Sequence, residues 1–550
     1  MKKSSLKTII AALLAAALLC ALAAACGGDA ASNTDPSATP TPTDSVGKKD
    51  EVIIGFPGIP SGFDPLVTAG HGSYVPLLFS TLVALDADVN VIPDLAESYE
   101  VSEDALTYTF KLRSDARFTD GEPVKVSDVL FSLQTIMETA SEIDLSVIDS
   151  VAAGAEGDTV IITLKHPQST FILTMSGIGI APEHLYGAGF AQSPVGSGPY
   201  KLAQYDVDQQ MILEANEGYY GKAPGIRRAV FINMSGEDQQ LIAARSGQVD
   251  ITLTSATIAA VNTIDGYNLL VEKTVDNMGI VMPTIPAGSG TSSLGNPMGN
   301  DVTCDVNLRK AIAYAIDRER LCDEALSGYA APAYSENDGM PWWNPESVIE
   351  MDVDYAISLL EAAGWTDTDG DGIRDKDGIK ASVPVYYFAG DSARQAVAMS
   401  AANQVKENIG VELLVEGMGE GDIMAIMVAQ PMILAWGSAN PITSYYLYHS
   451  SSVGRDDWYN PESFASAAVD GYLEAALGAK TIEDAIPFWQ KAQWDGETGT
   501  SMRGECPYIF LVNKDHLYFR RDGLNTGDQM IHAHGASWTL VANLKDWIWE

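Results

Sequence analysis

The chain has 550 residues, with 73 Asp and Glu against 33 Lys and Arg, a formal charge of −40. Such an acidic polyelectrolyte repels nucleic acid and anionic lipid surfaces, so neither is expected as a partner. About 500 ordered residues suffice for two or three domains with real cores, and the acidity, spread along the chain, reads as a solubilising surface.

The first predicted element is an export signal. Lys2, Lys3 and Lys7 precede an apolar run from Ile9 to Ala25. The small residues Ala23-Ala24-Ala25 followed by Cys26 resemble the bacterial lipobox, in which the cysteine becomes the lipidated first residue. Position 23 is Ala where that motif usually has Leu, and Leu22 sits one place earlier. Cys20 competes poorly because the bulky Leu19 would precede the cut. An ordinary secretory signal or an uncleaved anchor is the alternative. Removing residues 1–25 takes away three lysines and no acids, moving the charge from −40 to −43. A polar tether, residues 26–50, follows, rich in Ser, Thr, Pro and Asp. No further apolar run of membrane-spanning length appears. The expected location is therefore the extracytoplasmic face of the cell membrane, on a lipid anchor.

Glu51 to Phe56 has a buried-strand pattern. Tyr108, Phe110 and Leu112 alternate with polar neighbours, predicting a half-buried strand, and Phe118-Thr119-Asp120-Gly121 makes the turn after it. Val129 to Met137 reads as a helix and Thr159 to Leu164 as a strand. The Gly, Ser and Pro content of Pro286 to Asn300 predicts a surface loop or a domain boundary. Ala356, Leu359, Leu360 and Ala363 mark one face of a helix ending at Gly364, and Val383–Phe388 and Val411–Val415 are strand-like. Helices and strands alternate without a fixed repeat, so the class is α/β.

Cysteines 304, 322 and 506 remain once the signal and Cys26 are set aside. The stripe Leu308, Ala311, Ile312, Ala315, Ile316 fills most of the gap between Cys304 and Cys322. A helix there would separate the ends by roughly 20 Å, while a disulfide needs about 4.4–6.8 Å; no bridge is expected. Without C-x-x-C spacing, a zinc site is not expected either.

Several segments in order resemble solute-binding protein family 5, the extracellular receptors of peptide and nickel ABC importers. They are Leu82–Leu85, Pro93-Asp94-Leu95-Ala96-Glu97-Ser98-Tyr99, Arg117–Val124, Pro194-Val195-Gly196-Ser197-Gly198-Pro199-Tyr200, Ser246–Ile251, Leu308–Arg318 and Leu359–Trp365. The resemblance runs from about Glu51 to the C-terminus. It implies a two-lobed fold of the periplasmic-binding type (type II) that closes on its ligand like a hinged trap, with an extra subdomain in lobe one. Lobe one would be 51–277 plus 506–550, with the extra subdomain at 97–193, and lobe two 278–505. The crossings would fall near Lys273–Met278 and Glu505–Phe510. Implied partners are a peptide or other small solute and an ABC permease with its ATPase; the protein itself would be a monomer without a cofactor. From the residues alone, Gly196, Gly198 and Pro199 read as a tight turn into a strand, and Asp317-Arg318 as an ion pair or a helix cap.

In peptide-binding members a Trp-Gly segment in lobe two is followed by an acidic residue that anchors a peptide's amino terminus. The matching stretch is Ala435-Trp436-Gly437-Ser438-Ala439-Asn440, where the neutral Asn440 stands near the acid's place. An amide accepts a hydrogen bond from an ammonium without charge pairing, which puts dipeptide specificity in doubt. Trp436 either stacks on ligand or fills core, and Tyr445, Tyr446 and Tyr448 either line the cleft or pack inside. His532-Ala533-His534 has the spacing of a transition-metal chelate, which His71 and His449 could join. That makes nickel or a metal–chelator complex the alternative ligand, against surface or hydrogen-bonded histidines. Asp367-Thr368-Asp369-Gly370-Asp371-Gly372 with Asp375 resembles half a calcium loop, but Gly378 stands where the bidentate Glu belongs. A turn-rich hairpin is the competing reading. No G-x-S-x-G, H-E-x-x-H or P-loop is present, since Gly221-Lys222-Ala223 lacks the hydroxyl; an exported hydrolase or adhesin is disfavoured.

Overall fold

The computed structural model describes residues 49–67, 74–139, 141 and 143–550; the signal segment, Cys26, nearly all of the tether and His71 lie outside them. Two large sheets organise the chain. One has seven strands, in the order Tyr267–Glu272, His516–Arg521, Ile251–Thr254, Glu51–Phe56, Arg228–Asn233, Gln210–Ala215, Tyr200–Asp206. Its centre is parallel, Glu51–Phe56 pairing with both Arg228–Asn233 and Ile251–Thr254, and its flanks are antiparallel. The other has six, in the order Ala330–Pro332, Tyr508–Lys514, Asn277–Val281, Met432–Leu434, Ser382–Phe388, Glu412–Met418. Within it Ser382–Phe388 and Glu412–Met418 run parallel, joined by the helix Ser392–Ile409. That helix starts where Asp391 caps the backbone N–H of Arg394 and stops at Gly410, whose φ is 67°.

A third sheet, four strands in the order Ala96–Val101, Thr107–Leu112, Thr159–Leu164, Ile148–Ala153, packs under the helix Val126–Glu138 and forms the extra subdomain. The alternation Tyr108, Phe110, Leu112 turns these three rings and chains inward, all of them buried. Each large sheet has its own apolar core. The hairpin of helices Ala467–Leu477 and Ile482–Gln493, although it follows most of the second lobe's strands in the chain, buries Val469, Leu473 and Trp489 in the cluster that holds Tyr108 and Phe171. The extra subdomain fastens it: the Ser169 N–H donates to Leu477 O at 2.8 Å and its hydroxyl to Ala476 O at 2.8 Å. Leu477 O is a carbonyl of the kind that a helix end leaves without an internal partner, while Ala476 O also accepts from Ala479 N at 3.3 Å.

Three readings of the sequence are refined. Gly196 and Gly198 are required by close approach: a Cβ would stand 1.9 Å from Leu78 O at Gly196 and 2.6 Å from Leu78 C at Gly198. Asp317 is a helix cap, accepting from Arg320 N at 3.0 Å, and Arg318 is a buried guanidinium donating to Phe510 O at 2.9 Å. The second crossing lies further along than the resemblance implies. Tyr508–Lys514 belongs to the six-stranded sheet and His516–Arg521 to the seven-stranded one, so the chain crosses at Asp515 and not near Glu505–Phe510. Arg309 holds the approach to that strand in the second lobe by donating to the carbonyls of Glu505 and Cys506 at 2.8 and 2.9 Å. Cys304, Cys322 and Cys506 are free thiols, Cys322 lying inside the helix Arg318–Leu326.

Candidate functional site: the crossings and the Trp436 segment

The first crossing is residues 273–276, between the strand Tyr267–Glu272 of one sheet and Asn277–Val281 of the other. An ion pair of 2.8 Å between Lys273 Nζ and Asp515 Oδ2 joins it to the second. The C-terminal segment runs alongside: His532 N donates to Lys273 O at 3.1 Å and Val275 N to His532 O at 2.9 Å. Asp276 sits at the centre with 2% of its surface exposed. Its carboxylate accepts from His534 Nδ1 at 2.6 Å and His516 Nε2 at 3.0 Å, with Lys514 Nζ at 3.2 Å. Burial raises its pKa, but Lys514 and the two imidazole hydrogen bonds outweigh burial and hold the carboxyl well below the usual range.

Because His516 donates from Nε2, its neutral ring accepts at Nδ1, and His532 Nδ1 donates to it at 3.1 Å. Burial lowers the pKa of His516 and pushes His532 down to about 3, so both rings are neutral. The paired histidines His532 and His534 therefore do not converge on one metal position: one faces His516 and the other Asp276. His449 is elsewhere, stacked on Tyr445 with ring centroids 4.3 Å apart and bonded to Ser451 Oγ at 2.7 Å. Among the described residues, the group with ligand atoms close enough for a metal is Asp367, Asp369 and Asp375. There Lys380 Nζ already bridges Asp369 and Asp371 at 2.8 and 2.9 Å, and Thr368 occupies Asp375.

The Trp436 segment is clamped to this crossing. It leaves the strand Met432–Leu434, and Trp436 O accepts from Asn277 N at 3.1 Å and Asn277 Nδ2 at 2.9 Å. Gly437 O accepts from His534 N at 3.2 Å. Gly437 has φ 154°, and a Cβ there would stand 2.3 Å from Val275 O, so only glycine lets the segment lie so close. The Trp436 ring is half-buried and packs against both large apolar cores, with its indole N–H buried and unpaired. Asn440 closes an Asx turn by accepting from Ile442 N at 3.1 Å, and its amide reaches across to Thr174 Oγ1 at 3.4 Å. The helix Ile442–Tyr448 follows, carrying Tyr445 and Tyr446, both half-buried, and Tyr448, fully buried. Tyr446 is pushed up first by burial and then by Asp144 of the extra subdomain. Trp436, Asn440, Tyr445 and Tyr446 thus occupy one continuous segment between the lobes.

Beneath that segment lies a buried acidic cluster that sequence reasoning missed. Glu336 accepts from Ser444 Oγ at 2.6 Å and Asn337 Nδ2 at 2.8 Å, and Asp338 accepts from Asn513 Nδ2 at 2.9 Å. Glu462 is wholly buried, with neither carboxyl oxygen hydrogen-bonded. Burial raises Glu336, pushes Asp338 up to about 7 and, aided by Glu336, Glu462 to about 8. Asp276 and His516 were likewise missed; the only available signal was a histidine among seven in the chain.

Two lobes joined by two crossings, with a clamped aromatic segment between them, define a solute-binding protein. The family model of bacterial extracellular solute-binding proteins, family 5 (middle region), matches residues 90–458, and the chain belongs to this family. Protein XP55 of Streptomyces lividans is 29% identical over 496 residues, 87% of this chain and 86% of that protein. The oligopeptide-binding protein AppA of Bacillus subtilis is 25% identical over 515 residues, 88% and 90% of the two chains. The fold is also that of NikZ from Campylobacter jejuni, solved in complex with Ni(L-His): TM-score 0.75, 23% identity, covering 91% of this chain and 99% of that one. The protein is thus a substrate-binding component in the family of ABC peptide and nickel importers, a family of extracytoplasmic receptors and not of enzymes. Among the described residues no helix is long and apolar enough to cross a membrane.

Proposed function

We propose that the protein is a lipoprotein, anchored through Cys26, that captures a peptide or peptide-like solute between its lobes and delivers it to an ABC permease. The observation that carries the ligand reading is the Trp436–Asn440 segment. It is half-buried between the two cores, offers an aromatic face, and has a neutral amide where a fixed anion would demand a free amino terminus. Trp436, Asn440, Tyr445, Tyr446 and His71 are the proposed contacts. The relatedness to an oligopeptide-binding protein over most of both chains supports the same reading. Nickel or a metal chelate is the second reading, motivated by the likeness to the nickel-binding periplasmic protein of Escherichia coli, 25% identical over 397 residues. Against it stands the engagement of His532 and His534 with other side chains.

Calorimetry with defined peptide pools and with Ni²⁺, alone and with histidine, decides between them. Peptide binding that falls at least tenfold in Gly437→Ala supports the first reading; nickel binding without any peptide response sinks it. The tether of about 24 residues reaches at most roughly 80 Å when fully extended, keeping the trap near its permease. Cys26→Ala should release the protein from the membrane and leave solute affinity unchanged. Retention of that variant in the membrane fraction contradicts the anchor.

A further inference from the structure

Away from the Trp436 segment, a cavity of about 320 Å³ opens where the extra subdomain meets the helical hairpin. Tyr99 and Tyr108 come from the four-stranded sheet, Ile172 and Leu173 from the helix Phe171–Met175, and Trp342 and Ile486 from the opposing side. The walls carry three aromatic rings, seven aliphatic side chains and one proline, with Asn90, Ser169 and Thr481 as neutral polar groups. Lys480 and Glu483, one charge of each sign, also line the cavity, and Lys480 is already paired with Glu103 at 3.1 Å. The wall thus presents no cluster of like charge to hold an ion, and an ionic ligand would lose hydration against its apolar side chains. An apolar cavity of roughly 150 Å³ stays dry and takes one benzene ring; this one has about twice that room, the size of a fused two-ring aromatic, and its rings can meet such a molecule edge-on or stacked.

We propose that this cavity is a second small-molecule site, for an uncharged bicyclic aromatic of which indole is the probe. Its walls come from both sides of the interface that Ser169 fastens to Ala476 and Leu477. A molecule held there touches both partners only while they are docked, so it stabilises the docked hairpin by its differential affinity for that state. The site shares no residue with the Trp436–Asn440 segment and stands whichever solute the main cleft takes. Calorimetric titration of the full-length protein with indole tests it. The expected result is saturable one-to-one binding that falls at least tenfold in Ile486→Trp, which fills the cavity, with solute binding in the main cleft retained. Leu173→Phe, a smaller filling change, should weaken indole several-fold should the larger variant fail to fold. No saturable binding up to millimolar indole, or undiminished binding in the filled variants, overturns the proposal.

Discussion

Two buried carboxylate sites in this molecule respond to burial in opposite ways. At the crossings, Asp276 meets a lysine and two imidazole N–H groups, and its pKa falls. In the second lobe, Glu336, Asp338 and Glu462 meet hydroxyls, amides and one another, and their pKa values rise. Desolvation is the largest influence at both; what differs is whether positive charge and directed donors were buried with the acid. The comparison teaches that a buried acid is a fixed anion only where its neighbours make it one. The crossing is therefore a charged clamp across two chain passages, while the second-lobe acids hold their protons to higher pH than ordinary carboxyls do.

The strongest way to break the contrast is Asp276→Ala. It strands Lys514, His516 and His534 around a buried void and should cost about 3–5 kcal/mol in urea unfolding at neutral pH. A loss under 1 kcal/mol would mean the clamp is not compensated as described. The pH dependence sharpens the difference next. The folded chain keeps protons on Glu462 and Asp338 that the unfolded chain sheds above the ordinary carboxylate range. The cluster's contribution is complete at acid pH and is lost as pH rises through about 7 to 8. Glu462→Gln should therefore gain roughly 1–3 kcal/mol over the parent at pH 9 and little at pH 5. His532, with a folded pKa of about 3 against an ordinary 6.5, acts in the other sense: stability is lost as pH falls below 6.5. His532→Gln should flatten that acid limb without touching the alkaline one, as thermal melts across pH would read out. The smallest effect belongs to Ser169→Ala, which removes one of the two bonds to the hairpin's end. About 1 kcal/mol should go, with faster hydrogen exchange at the end of the helix Ala467–Leu477.

Much of the fold was legible because it rests on local patterns. The strand Thr107–Leu112 follows from alternation, the helix Val353–Ala362 from its apolar stripe and its end before Gly364, whose φ is 85°. The candidate site was legible only where a segment carries its own signature, as Trp436-Gly437 does. The pairing of His532 with His534 misled because period-two spacing says that two rings share a side and not what else stands there. His516, sixteen residues earlier in the chain, takes one of them. The second crossing was misplaced for a similar reason. Tyr508–Lys514 and His516–Arg521 are both apolar β-formers, and nothing local marks Asp515 as the passage between sheets.

By itself the sequence determined the α/β class, most of the strands and helices and the family, since these depend on periodicity, composition and short motifs. Only the tertiary structure decided which sheet each crossing strand joins, which histidines face Asp276 and which acids are buried without a cation. Those outcomes depend on residues hundreds of positions apart, whose meeting sets both desolvation and pairing, and neither quantity has a local trace in the chain.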